Sequence, residues 1–256
     1  MNNSSLNVRE VEAGGCTPEN AVPVFLSVVM PAYNEEAAIE EVIFEHVKAL
    51  TALGELIVGW EIVCVDDGSS DCTLAILERL ASNISALKIV RHSENKGIPQ
   101  SFADGFTAAE GTHIYATGAD GQWPAANLTR MLRSIMVGCE LVVGVRLNRK
   151  HVYALKRRLV SFAFNFLSWV LFGVKTVDAG SIKLGVRDVF RLDLISRSPF
   201  VEAERIIKAQ RCGYRVNFTP IEFRARKGGK ESGVRWSNLL RSIRDCLRCV
   251  PVYGTR

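Results

Sequence analysis

Val63-Cys64-Val65-Asp66-Asp67-Gly68-Ser69-Ser70-Asp71 decides how the rest of the chain is read. Three apolar residues run into two adjacent carboxylates, and Gly, Ser, Ser and Asp follow at once. A buried strand that stops on acids and turns into a helix places those acids at the carboxyl edge of a sheet. Open α/β sheets bind ligands at that edge. Successive strand residues point to opposite faces, so Asp66 and Asp67 cannot share one job. One is expected to brace the turn while the other faces the crevice. The competing reading is a helix-capping Asp cluster with no ligand.

Working outward, apolar runs and helical patterns alternate in the manner of a parallel sheet flanked by helices, an α/β chain. Strands are expected over Phe25 to Met30, Trp60 to Val65, Leu87 to Val90, His113 to Thr117 and Cys139 to Gly144. Helices are expected from about Glu35 to Leu53, from Asp71 to Leu80 and from Pro99 to Ala109, and another starts at Pro124. At 256 residues such a chain can form one domain. The polar residues 1–22 carry no basic-then-apolar signal pattern and are expected to be a mobile leader. Residues 23–233 are expected to form the domain, and 234–256 a basic amphipathic segment.

Seven Cys without repeated pairs and four scattered His offer neither a zinc site nor a catalytic triad. They suit a reduced, cytoplasmic protein. Charge is segregated. Residues 205–256 hold 13 Lys and Arg against 3 Asp and Glu, whereas 1–204 hold 19 against 24. Residues 141–177 add seven basic side chains and no acid. Such segregation points to an anionic partner, with a merely solvated basic face as the alternative. No recognition motif supports nucleic acid.

Polar signals recur at the strand ends: Pro31-Ala32-Tyr33-Asn34-Glu35-Glu36, Asp66-Asp67 and Gly118-Ala119-Asp120. The first strand is not followed by Gly-x-Gly-x-x-Gly, and Gly-Lys-Ser/Thr is absent, so neither a dinucleotide fold nor a P-loop is supported. Taken in order, Val28 to Glu36, Val65 to Asp71, Asn95-Lys96-Gly97 and Ala119-Asp120-Gly121-Gln122 resemble the family 2 glycosyltransferases. Within them the chain is similar to the dolichyl- and polyprenyl-phosphate sugar (mannose) synthases, over about Leu26 to Gly233. The resemblance implies the GT-A nucleotide-sugar-binding fold.

It also implies roles. Pro31, Tyr33, Glu35, Asp67, Lys96 and Gly97 would surround the nucleotide, with Asp67 on the base and Asp66 as its bracing partner. Asp120 matches the last carboxylate of the family's Asp-x-Asp motif, which with Gln122 would hold Mg²⁺ or Mn²⁺ against the diphosphate. Gly118 stands where that motif begins with Asp, which removes one hard oxygen ligand. Arg146, Arg157 and Ser161 would receive the acceptor phosphate, since an Arg fork binds phosphate bidentately. Asp178 and Arg226 match catalytic positions near the reacting centre.

Together these residues imply an inverting transferase that moves a sugar from a GDP- or UDP-linked donor to a polyprenyl- or dolichyl-type phosphate. The alternatives are a family 2 enzyme with a saccharide or protein acceptor, and a non-catalytic nucleotide-sugar-binding protein. Leu159 to Val174 is short for a spanning helix. Trp236 to Val250 sets Leu239, Leu240, Ile243 and Leu247 among Arg241, Arg244 and Arg248. That pattern suits either peripheral contact with the cytoplasmic membrane face or a helix packed on the domain with its Arg in water.

Overall fold

The computed structural model describes residues 23–147, 168–174, 176–225 and 236–254. Seven strands form one sheet: β1 (Phe25–Ala32), β2 (Gly59–Asp66), β3 (Leu87–Arg91), β4 (His113–Ala116), β5 (Leu141–Arg146), β6 (Lys183–Val186) and β7 (Val216–Ile221). Their order across the sheet is β3-β2-β1-β4-β6-β5-β7. Every pairing is parallel except the two made by β6, which runs antiparallel to β4 and β5.

Helices among the described residues include α1 (Ile39–Thr51), α2 (Thr73–Ala81), α3 (Ile98–Ala108), α4 (Ala126–Met136), α5 (Arg187–Phe190), α6 (Val201–Arg211) and α7 (Trp236–Tyr253). Strand alternation divides them between two layers. Leu26, Val28 and Met30 of β1, with Ile62 and Cys64 of β2, pack against α1, α2 and α4. Val29, Val63, Ile114 and Val143 point the other way, towards Phe106 of α3, Phe190 of α5 and Ile206 of α6. Residues buried on both faces of a parallel sheet explain why its strands read as near-continuous apolar runs.

All five expected strands are present. β1 continues to Ala32, which brings Pro31 inside the strand. α1 starts at Ile39 instead of Glu35, because the Glu35 carbonyl first accepts the Ala38 and Ile39 N–H groups in a tight turn. β6 and β7 were not anticipated. β6 is four residues, Lys-Leu-Gly-Val, without strand-like alternation. β7 lies on the sheet edge, where its Pro220 is tolerated.

α7 lies on the domain. Cys246 and Cys249 are buried, Tyr253 Oη donates to Glu204 Oε1 at 3.1 Å, and Asp245 Oδ2 accepts the N–H groups of Arg197 and Ser198. The opposite face leaves Leu240 67% and Leu247 57% exposed, beside the exposed Arg241, Arg244 and Arg248. No helix among the described residues is long and apolar enough to cross a membrane. The expected leader, 1–22, lies outside the described residues.

Candidate active site

Two loops meet at the carboxyl ends of β1 and β2. Asn34 takes a positive φ of 55°, which Asn tolerates better than most residues. Its Oδ1 accepts the Ser70 N–H at 2.8 Å, and its own N–H reaches Ser69 Oγ at 3.0 Å. The Glu35 N–H donates to Thr73 Oγ1, Glu36 N–H to Asp71 Oδ2, and Cys72 N–H to Glu36 Oε2. Glu35 is thus buried in the joint between the loops, while Tyr33 stands above it, 45% exposed. Ser69, Ser70 and Asp71 tie β2 to β1, which explains why small polar residues follow the acids.

Asp66 and Asp67 have different surroundings. Asp67, 3% exposed, accepts the N–H groups of Lys96 and Gly97 at 2.9 Å each. Its Oδ1 also meets His92 Nδ1 at 2.7 Å, and His92 Nε2 meets Asp104 Oδ2 at 2.9 Å. Burial pushes the Asp67 carboxyl up; the bonds from His92, Lys96 and Gly97 outweigh it and hold it below its ordinary value. Asp67 therefore anchors the start of α3. Gly68 follows because the chain passes so close that an added Cβ would lie 2.6 Å from the Glu94 backbone. Asp66 points to the other face, is buried, and keeps an Oδ1 without a hydrogen-bond partner. The backbone N–H groups of Lys96 and Gly97 are spent on Asp67, and the Lys96 side chain is partly exposed, 4.0 Å from Asp104.

A second group gathers beyond β4. Asp120 Oδ1 accepts the Gln122 N–H at 3.1 Å, the Gln122 carbonyl accepts Arg224 N–H at 2.9 Å, and Trp123 meets Phe223 edge-on with ring centroids 4.7 Å apart. The Arg146 guanidinium lies 5.4 Å from the Trp123 ring and 5.2 Å from the Phe223 ring. Arg146 also grips Asp178: its N–H and Nε reach Oδ2 at 3.0 and 2.8 Å, and its Nη2 bonds Oδ1. Arg146 and Asp178, expected as an acceptor ligand and a catalytic group, are thus each other's partner. Both Asp178 oxygens are engaged by Arg146.

Gly118 lies beside Asp120. A Cβ built there would be 3.5 Å from Asp120 Oδ1 and 3.3 Å from Trp123 Cδ1. Among the described residues no three His, Cys, Asp or Glu side chains cluster to hold a metal. One carboxylate with the Gln122 amide fits a Mg²⁺-type ion only when substrate phosphates complete its shell.

Arg157, Ser161 and Arg226 lie outside the described residues. The sequence reading missed three features: His92 between two carboxylates, the Trp123–Phe223 seat for Arg146, and the pairing of the buried Lys183 with the half-buried Glu202. Each joins residues far apart in the chain, and no local pattern marks such a contact.

Solved structures share this architecture. Glucosyl-3-phosphoglycerate synthase from Mycobacterium tuberculosis, in complex with Mn²⁺, UDP and glucosyl-3-phosphoglycerate, superposes with a TM-score of 0.66 at 18% identity, over 90% of this chain and 81% of that one. The same enzyme with Mg²⁺ and UDP gives 0.62 at 18% identity, over 90% and 80%. The fold is the GT-A fold of glycosyltransferases. The profile of Glycosyl transferase family 2 matches residues 27–191, and the chain belongs to that family and is a glycosyltransferase. Among curated relatives, undecaprenyl-phosphate 4-deoxy-4-formamido-L-arabinose transferases from Salmonella paratyphi B and Salmonella newport are 28% identical over 233 residues, 89% of this chain and 68% of theirs.

Proposed function

We propose that this glycosyltransferase moves a sugar from a nucleotide-linked donor to a polyprenyl-type phosphate, working peripherally at the cytoplasmic face of a membrane. The engagement of Asp178 by Arg146 carries this reading. A hydroxyl acceptor needs a base to take its proton, and Asp178 was the one obvious candidate in the sequence. A phosphate acceptor is already an anion at neutral pH and needs none. The sequence relatives act on undecaprenyl phosphate, which supports the same acceptor class.

Asp66 is the acid offered to the nucleotide, because its Oδ1 has no other hydrogen-bond partner. Tyr33, which follows the Ala32 in register with Asp66, supplies an exposed ring. Asp120 and Gln122 would hold Mg²⁺ or Mn²⁺ against the donor diphosphate, where the ion offsets the charge of the leaving group. Arg146, stiffened by two rings and a carboxylate, presents a fixed cation next to that loop, and Arg157, Ser161 and Arg226 are assigned to the phosphates. The protein's work is to position donor and acceptor in line.

Incubation with labelled UDP- and GDP-sugars, polyprenyl phosphate and Mn²⁺ tests the reading. Label should enter the organic phase with one donor. Label that appears only in an added saccharide would replace the lipid acceptor with a saccharide.

A further inference from the structure

Lys183 opens β6 in the middle of the sheet, in register with Ala116 of β4 and Val143 of β5. It is 1% exposed. Its ammonium reaches Glu202 Oε2 at 2.6 Å, the Ala179 carbonyl at 2.5 Å and the Ser181 carbonyl at 3.1 Å. Three donors thus meet three acceptors. Burial, with Arg205 nearby, holds the proton affinity of Lys183 below its ordinary value, although Glu202 and Asp178 pull the other way. Glu202 lies in the first turn of α6, with its Oε1 4.0 Å from Arg205 Nη2.

Arg146, Asp178, Lys183, Glu202 and Arg205 therefore form a run of alternating charge, buried at Asp178, Lys183 and Arg205 and half-buried at Arg146 and Glu202. A buried run of this kind is often no more stable than apolar residues of the same volume, and such clusters concentrate at functional sites. Its centre is a turn under strain. Asp178 has φ +53°, a conformation that surrounding contacts must impose on a non-glycine residue. The Asp178 carbonyl accepts Ser181 N–H at 2.8 Å to close the turn. Lys183 clamps that turn through the carbonyls of Ala179 and Ser181, and Glu202 anchors Lys183 to α6.

We propose that Lys183 and Glu202 are positioning residues: they lock the 178–181 turn so that Asp178 holds the Arg146 guanidinium against the Trp123 and Phe223 rings, beside the reacting phosphate. The proposal rests on the reading of Arg146 as a phosphate-facing group. Neither residue needs to touch substrate. Their effect reaches the chemistry through the aim of one guanidinium.

The experiment compares Lys183→Met, the double variant Lys183→Met/Glu202→Met and Arg146→Ala. Melting temperature, steady-state sugar transfer and the emission of Trp123 are measured, the last as the difference from matching Trp123→Phe proteins. Lys183→Met should lower kcat about ten- to hundredfold through misplacement of the guanidinium. Donor KM should stay within roughly twofold, the mark of an interaction made late in the reaction. The double variant removes both charges together, so its melting temperature should recover towards wild type. Its kcat should stay low, and its Trp123 emission should resemble that of Arg146→Ala. Recovery of wild-type kcat and emission along with stability would overturn the proposal, because the pair would then only neutralise itself. Unchanged turnover in Arg146→Ala would instead remove the phosphate-facing reading, and the emission would still decide whether the pair positions Arg146.

Discussion

At Asp66 and Asp67, neighbouring carboxylates have different partners: Asp67 accepts the Lys96 and Gly97 N–H groups, while Asp66 keeps an Oδ1 without a hydrogen-bond partner. Asp67→Ala should cost stability, about 2–4 kcal/mol, since it leaves the Lys96 and Gly97 N–H groups and His92 without their acceptor. Urea unfolding would measure it. The sign of the pH dependence follows from the lowered Asp67 carboxyl. Its contribution is fully present above the ordinary value of 3.8 and is lost as the pH falls through the lower folded value. Asp67→Ala should therefore unfold with less pH dependence than wild type below that ordinary value. Asp66→Asn should do the reverse: keep the melting temperature and lose nucleotide affinity in a calorimetric titration. Loss of affinity in neither variant would remove both acids from the donor site. Gly118→Asp is the matching gain. Gly118 does not occupy the left-handed region, so the backbone accepts a side chain. Trp123 must give by a few tenths of an ångström, and the new carboxylate would arrive beside Asp120. Mn²⁺ affinity in the presence of UDP should rise; an unchanged affinity would mean that the ion does not sit at Asp120.

Among the elements, α7 has one packed face and one exposed face. Cys246, Cys249 and Tyr253 hold it to α6 and its neighbours, and Leu240 and Leu247 are left in water among three exposed Arg. A basic helix with an exposed apolar stripe binds anionic lipid by partial insertion and charge attraction. Co-sedimentation with anionic liposomes should be lost on Leu240→Asp/Leu247→Asp. Arg241→Gln/Arg244→Gln/Arg248→Gln should weaken it, and so should salt. Binding that survives all of these places the membrane surface elsewhere. The sequence showed this helix plainly through its spacing, and the packed face could be read only from the fold. The parallel strands were legible for the same reason: burial on both faces makes them continuous apolar runs. β6 was not, because its four residues are specified by the strands on either side. The motif loops were visible as polar strand ends. Their internal bonds, Asp67 to α3 and Asp178 to Arg146, join segments 30 and 32 residues apart and left no local trace.

Across the whole molecule, one sheet edge brings together two clusters. Asp66, Tyr33 and the laced β1 and β2 loops form the first. Asp120, Trp123, Arg146, Asp178 and Phe223 form the second. Arg157 belongs to the acceptor side in this account, and Arg157→Ala should raise the apparent KM for polyprenyl phosphate more than that for the sugar nucleotide. A charge-assisted bond to phosphate contributes roughly 1.5–3 kcal/mol. Equal effects on both substrates would take Arg157 out of the acceptor site. The central claim is that the acceptor brings its own anion and that Asp178 is a brace for Arg146, not a base. The most direct measurement offers the same donor with polyprenyl phosphate and with the corresponding polyprenol, and compares kcat/KM. The account predicts transfer to the phosphate and essentially none to the alcohol. Comparable transfer to the alcohol would contradict it, since an enzyme that activates a hydroxyl must contain the base that this site lacks in our reading.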